Sequence, residues 1–147
     1  MINLYPKGYK FQLSPNFNLV DFHCHCDSLA CRVTMVAQEL VNGLEALRAI
    51  AGPFDINSGY RCIPYNQKIN GRPNSYHTVG MAADCAPRFL KPQELKQFAV
   101  QVPTLNQGGI GLYKWGIHVD VRPIMSRWTD PNLHDLTIVA PNNETDV

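Results

Sequence analysis

Ile110-Gly111-Leu112-Tyr113-Lys114-Trp115-Gly116-Ile117-His118-Val119-Asp120-Val121-Arg122 is the stretch whose reading decides the fold. Side chains alternate along an extended strand. Ile117, Val119 and Val121 therefore share one face, and His118, Asp120 and Arg122 share the other. An apolar face predicts a strand laid on a core, and three polar groups opposite it predict the floor of a site. Residues 110–113 form a second strand candidate, and Lys114-Trp115-Gly116 closes a hairpin between the two. Working outward, residues 81–86 are a short apolar strand and residues 54–58 an alternating one. Val33, Val36, Ala37, Leu40, Val41, Leu44 and Leu47 recur at three and four, which predicts a helix with one buried face, ended by Gly52-Pro53. A second helix opens at Pro92, turns Leu95, Phe98, Ala99 and Val102 inward and stops at Pro103. Residues 59–74 read as a loop with one helical turn around 64–69, and residues 1–16, broken by Pro6, Gly8 and Pro15, as polar and extended. Helices and strands are segregated rather than alternating. The expectation is an α+β fold in which helices pack a small antiparallel sheet.

Composition narrows the function. The chain has 147 residues, 45% of them hydrophobic and 17% charged, which supports one core and excludes a disordered polymer. One domain is expected, with its core over about 17–128 and an acidic tail over 129–147. Thirteen Lys and Arg against twelve Asp and Glu leave a net charge of +1, which disfavours a nucleic-acid module. Four of the acids (Asp130, Asp135, Glu144 and Asp146) lie in the tail, so thirteen basic and eight acidic residues give the first 128 residues +5. No run of eighteen apolar residues is present, so no membrane partner is expected. Residues 1–7 lack the apolar stretch of a signal peptide, which predicts synthesis in the cytoplasm. Five cysteines, an odd number without a disulfide-framework spacing, are expected to be mostly reduced.

His77, Asp84 and His118 stand out as candidate metal ligands. Zinc takes imidazole nitrogen and carboxylate oxygen, and catalytic zinc keeps three protein ligands plus an open position. His77 and Asp84 are seven residues apart in Ser75-Tyr76-His77-Thr78-Val79-Gly80-Met81-Ala82-Ala83-Asp84, a spacing that fits a loop turning at Gly80 into a strand. A carboxylate in so apolar a run needs a partner, and a cation supplies one. A second group, His23, Cys24, His25, Cys26 and Cys31, falls within nine positions. On a strand, His23 and His25 point opposite to Cys24 and Cys26, so one metal does not collect all four. Free thiols rather than a second zinc are expected there. Cys62 and Cys85 are expected as small core residues pointing away from the site.

Asn57-Ser58-Gly59-Tyr60-Arg61 followed by Asn66, then Ser75-x-His77-x-x-Gly80-x-Ala82-x-Asp84, then His118-x-Asp120, resembles the zinc D-Ala-D-Ala carboxypeptidase family (M15 type). The resemblance spans about residues 17–128. It implies an α+β fold related to the hedgehog signalling domain, one Zn²⁺ per chain held by His77, Asp84 and His118, and hydrolysis of peptidoglycan peptides next to a D-amino acid. Either D-Ala-D-Ala carboxypeptidase or L-Ala-D-Glu endopeptidase activity fits. Many members are phage endolysins, so a monomer acting at the bacterial cell wall is expected. Arg61 matches the family arginine that holds a carbonyl oxygen or a substrate carboxylate. Ser75 and Tyr60 are placed as substrate-binding residues or turn residues. One departure stands out: many relatives carry an acidic base three residues before the last His, where this chain has Trp115. Asp120 is the replacement candidate, either as base or as the partner that orients His118 or Arg122. The rival reading is a non-catalytic, zinc-stabilised binding or virion structural module.

Overall fold

The computed structural model describes residues 1–133. The breaker-rich start of the chain is extended, as expected, and forms β1 (Ile2–Pro6), β2 (Gln12–Ser14) and β3 (Phe17–Asn18), the last two pairing with each other. A single 3-10 turn, Leu19–Phe22, follows and buries Leu19 and Phe22. Next come β4 (Val33–Ala37) and α1 (Gln38–Ala51). The helix predicted from Val33 therefore begins five residues later. Val33-Thr34-Met35-Val36 is mostly β-branched, and β1 lies antiparallel beside it with Leu4 opposite Met35, so tertiary pairing overrides the helical spacing. From Leu40 onward the pattern holds: Leu40, Val41, Leu44 and Leu47 are fully buried.

β5 (Phe54–Ser58), α2 (Ile63–Lys68), a 3-10 turn at Tyr76–Val79, β6 (Ala82–Pro87) and α3 (Pro92–Ala99) match the sequence reading closely. Pro103 does more than stop a helix. It occupies the first turn of α4 (Pro103–Asn106), where its missing N–H costs nothing. β7 (Gly109–Leu112) and β8 (Ile117–Asp120) form the predicted antiparallel hairpin.

The main sheet has five strands in the order β5-β6-β8-β7-β9. Its last strand, β9 (Ser126–Thr129), runs parallel to β7, so the sheet is antiparallel everywhere but at that edge. β9 also takes in the first residue of the expected tail. Residues 134–147 of the expected acidic tail lie outside the described residues.

The register sorts the two faces. Ala83 pairs with Val119, Cys85 with Ile117, and both strand-β8 residues with Ile110 and Leu112 of β7. Those six residues and Leu40, Leu44, Leu95 and Leu105 of the helices belong to one buried cluster. The other face carries a row running across four strands: Asp84 beside His118, His118 beside Gly111, and Gly111 beside Trp128. A β-carbon at Gly111 would stand 2.2 Å from the Trp128 ring, so glycine there lets the indole lie against His118, 5.0 Å between ring centroids. No helix among the described residues is long and apolar enough to cross a membrane.

Candidate metal centre

Pairing of β6 with β8 puts Asp84 next to His118 on the face away from the helices. His77 arrives from the 3-10 turn. The Ser75 hydroxyl accepts from the His77 backbone N–H at 3.2 Å and opens that turn, and Gly80 closes it with φ +75°. Gly80 is needed twice over: L-residues avoid that conformation, and a β-carbon would meet the Met35 backbone at 2.5 Å.

Hydrogen bonds on the far side of each imidazole assign its tautomer. His77 Nδ1 lies 2.7 Å from the Gly59 carbonyl and so donates to it, which leaves Nε2 bare at 3.1 Å from Asp84 Oδ1. His118 Nε2 donates to Asp120 Oδ2 at 2.7 Å, which leaves Nδ1 bare at 3.3 Å from the same Asp84 oxygen. That buried nitrogen has no hydrogen-bond partner. The three atoms lie within 4.8 Å of one another, and among the described residues no fourth His, Cys, Asp or Glu joins them. Tetrahedral bonds of 2.0–2.1 Å to nitrogen and oxygen give ligand-to-ligand edges of about 3.3 Å. The two observed edges are close to that value, and the orphaned nitrogen points into the gap, so the donor set fits a zinc ion with one open position.

The electrostatics agree. Burial disfavours charge on all three groups, and it lowers the pKa of His77. Asp84 nonetheless stays well below the usual carboxylate range, because the imidazoles of His77 and His118 outweigh its burial. His118 is raised to about 9, its burial overcome by the hydrogen bond to Asp120 and by the negative charge of Asp120 and Asp84. In the metal-free protein a proton on the otherwise bare Nδ1, facing Asp84, stands in for the cation. A divalent cation takes over that charge.

The other expected site residues fall into place unevenly. Asp120 is fully buried and heavily engaged. Its Oδ1 accepts from the backbone N–H groups of Gly109 (2.8 Å) and Arg122 (3.1 Å), and its Oδ2 from His118 and from Arg122 Nη2 (2.6 Å). It faces the edge of the His118 ring opposite the bare nitrogen. Arg61 is 4% exposed. Its Nη2 donates to Asp84 Oδ2 (3.0 Å), Nε to Ser58 (3.0 Å) and Nη1 to Asn66 (3.2 Å). Ser75 is buried and its hydroxyl caps the turn that carries His77, the turn role that the sequence also allowed. Tyr60 is buried too, and its phenol pKa is raised first by burial and then by the nearby cysteines, so its ring sits toward that cluster. Trp115 is 40% exposed at the hairpin tip, stacked on Tyr113 with 5.0 Å between centroids. Glu94 caps α3, its carboxylate accepting from Lys91 N–H at 2.9 Å.

Sequence reasoning missed the carbonyl of Gly59 and the contact of Trp128 with His118. A backbone carbonyl leaves no trace in residue type. Nothing in the sequence around Trp128 marks it as a neighbour of His118.

Two imidazoles and one carboxylate facing one another, carried on a mixed sheet of an α+β fold, form a candidate metal centre of the three-ligand kind that catalytic zinc uses. Residues 15–120 match the Peptidase M15 family model, well over half of the chain, and the chain belongs to that family of zinc-dependent metallopeptidases. No curated protein matches the chain.

Proposed function

We propose that the protein hydrolyses peptidoglycan stem peptides at a bond next to a D-amino acid, as a D-Ala-D-Ala carboxypeptidase or an L-Ala-D-Glu endopeptidase at the bacterial cell wall. The observation that carries this is the three-ligand set with its bare His118 Nδ1, since a purely structural zinc takes four protein ligands. Zinc held there supplies an activated water and polarises the scissile carbonyl. The chain's own residues supply alignment. Gly59 and Asp120 hold the two imidazoles so that the correct nitrogen of each faces the metal. Arg61 occupies Asp84 Oδ2 and leaves Oδ1 for the metal. Three of its five N–H groups are used within the protein, which leaves two for an oxygen of the substrate seated at the metal. Asp120 acts as the orienting partner of His118 and not as the base, because its oxygens are taken and the imidazole stands between it and the metal position.

One observation favours the rival reading of a non-catalytic, zinc-stabilised module: Trp115 stands where many relatives carry an acid, and the metal-facing set contains no carboxylate beyond Asp84. Incubation with purified muropeptides, followed by mass spectrometry of the products, decides between them. The expected result is one cleaved bond, lost with a chelator, restored by zinc, and lost together with a metal equivalent in His118→Ala. A zinc-loaded protein that binds muropeptide and cuts no bond overturns the peptidase and leaves the binding module.

A further inference from the structure

Residues 23–32 contain no strand or helix, and within them Asp27 to Ala30 are exposed. Such a stretch has little burial to hold it. Yet its backbone alternates as an extended chain does: Cys24 and Cys26 turn inward while His25 is exposed, its ring against Tyr65 at 6.5 Å between centroids. Neither His23 nor His25 joins the group of thiols. The ligand that completes the set comes from elsewhere. Cys62, the N-cap of α2, is expected from the sequence to be a small core residue pointing away from the His118 site. It is half-buried, with its sulfur 3.6 Å from that of Cys24.

We propose that Cys24, Cys26, Cys31 and Cys62 form a second, structural zinc site with four thiolate ligands. The four sulfur atoms lie within 4.8 Å of one another. Tetrahedral Zn–S bonds of 2.3 Å give sulfur-to-sulfur edges of about 3.8 Å, so closing the site needs movements below about 1 Å. All four positions are filled by protein, in contrast to the set of three around His118. Two donors already face the sulfurs. Cys62 N–H donates to Cys24 Sγ at 3.3 Å, and Lys7 Nζ lies 3.3 Å from both Cys26 Sγ and the Cys26 carbonyl oxygen. Zinc with four thiolates carries a net charge of −2, which the lysine offsets in part. A cleft of about 230 Å³, lined in part by His25, Cys26, Cys62 and Tyr65, opens beside the sulfurs and gives the ion a way in. Cys85, the fifth cysteine, is buried in the core and takes no part. The bound ion ties the irregular segment to Cys62, the neighbour of Arg61, and thereby fixes the loop that delivers Arg61 to Asp84.

Metal analysis and cobalt substitution test this on the full chain, purified under reducing conditions. Two zinc ions per chain are expected, one of them retained in His77→Ala. With cobalt in place of zinc, one equivalent should give the intense sulfur-to-cobalt charge-transfer absorption of thiolate ligation, in the wild type and in His77→Ala alike. Cys62→Ser should weaken or abolish it. Zinc should also shield Cys24, Cys26, Cys31 and Cys62 from alkylation. A single zinc in the wild type without that absorption, iron in place of zinc, or an intact mass lower by four hydrogens from two disulfides overturns the proposal. None of these outcomes touches the peptidase reading, which rests on the other three ligands.

Discussion

His77, Asp84 and His118 stand on paired strands and a capped turn, whereas Cys24, Cys26 and Cys31 stand on a stretch without regular structure. The two clusters teach different uses of a metal. An open site has to hold a vacant position in a fixed geometry, so the protein prepares it in advance: Gly59 and Asp120 set the tautomers and Arg61 sets the carboxylate. A closed tetrathiolate site has no vacancy to preserve, and the ion itself supplies the cross-link the segment lacks. The first cluster is thus built by the fold, and the second builds part of it.

Asp120→Asn tests the prepared side of that contrast most severely. The variant removes the charge that orients His118, so zinc affinity and hydrolysis should fall together by roughly 10–100-fold. Isothermal titration with zinc and a muropeptide assay read the two losses separately. Loss of hydrolysis at unchanged zinc affinity would restore Asp120 as the base and dissolve the distinction between a prepared site and a reactive one.

The next effect is graded by pH. In the metal-free protein His118 is raised from its ordinary 6.5 to about 9. A group raised on folding contributes stability that is fully present below its unfolded pKa and disappears as pH climbs through the folded one. The metal-free protein should therefore lose stability between about pH 6.5 and 9. Zinc binding displaces that proton, so affinity at the triad should rise across the same window, by up to about tenfold per pH unit. Titrations in buffers of different ionisation enthalpy report the released proton. A pH-independent affinity would mean that no proton occupies the site.

Gly80→Ala has the smallest expected effect and sharpens the comparison by location. The change imposes a side chain at φ +75° against the Met35 backbone and should cost about 1–3 kcal/mol. Thermal unfolding reads that loss. The thiolate-to-cobalt absorption should stay as in the wild type, because the strain falls on the turn that carries His77. Loss of that absorption would show the two clusters to be one cooperative unit.

Much of this was legible in the chain. The alternation at 117–122 named the face of His118, and the apolar run around Asp84 named a carboxylate in need of a cation. Other parts were not. Val33 to Ala37 carry helical spacing but form a strand, because β1, some thirty residues away, offers a ladder to β-branched side chains. Asp120 was ambiguous between base and orienter, since both roles ask only for a carboxylate on the right face of the strand. Cys62 looked like a core residue because nothing local links it to cysteines more than thirty positions earlier.

By itself the sequence determined the α+β class and the face of the strand on which His118 lies, which follow from local periodicity, and it named His77, Asp84 and His118 as candidate ligands from their chemistry and from the family resemblance. Only the tertiary structure decided which nitrogen of each histidine is bare, what Asp120 and Arg61 hold, and that a fourth sulfur meets the other three. Those facts depend on contacts between residues distant in the chain, where register and backbone carbonyls rather than residue types set the distances.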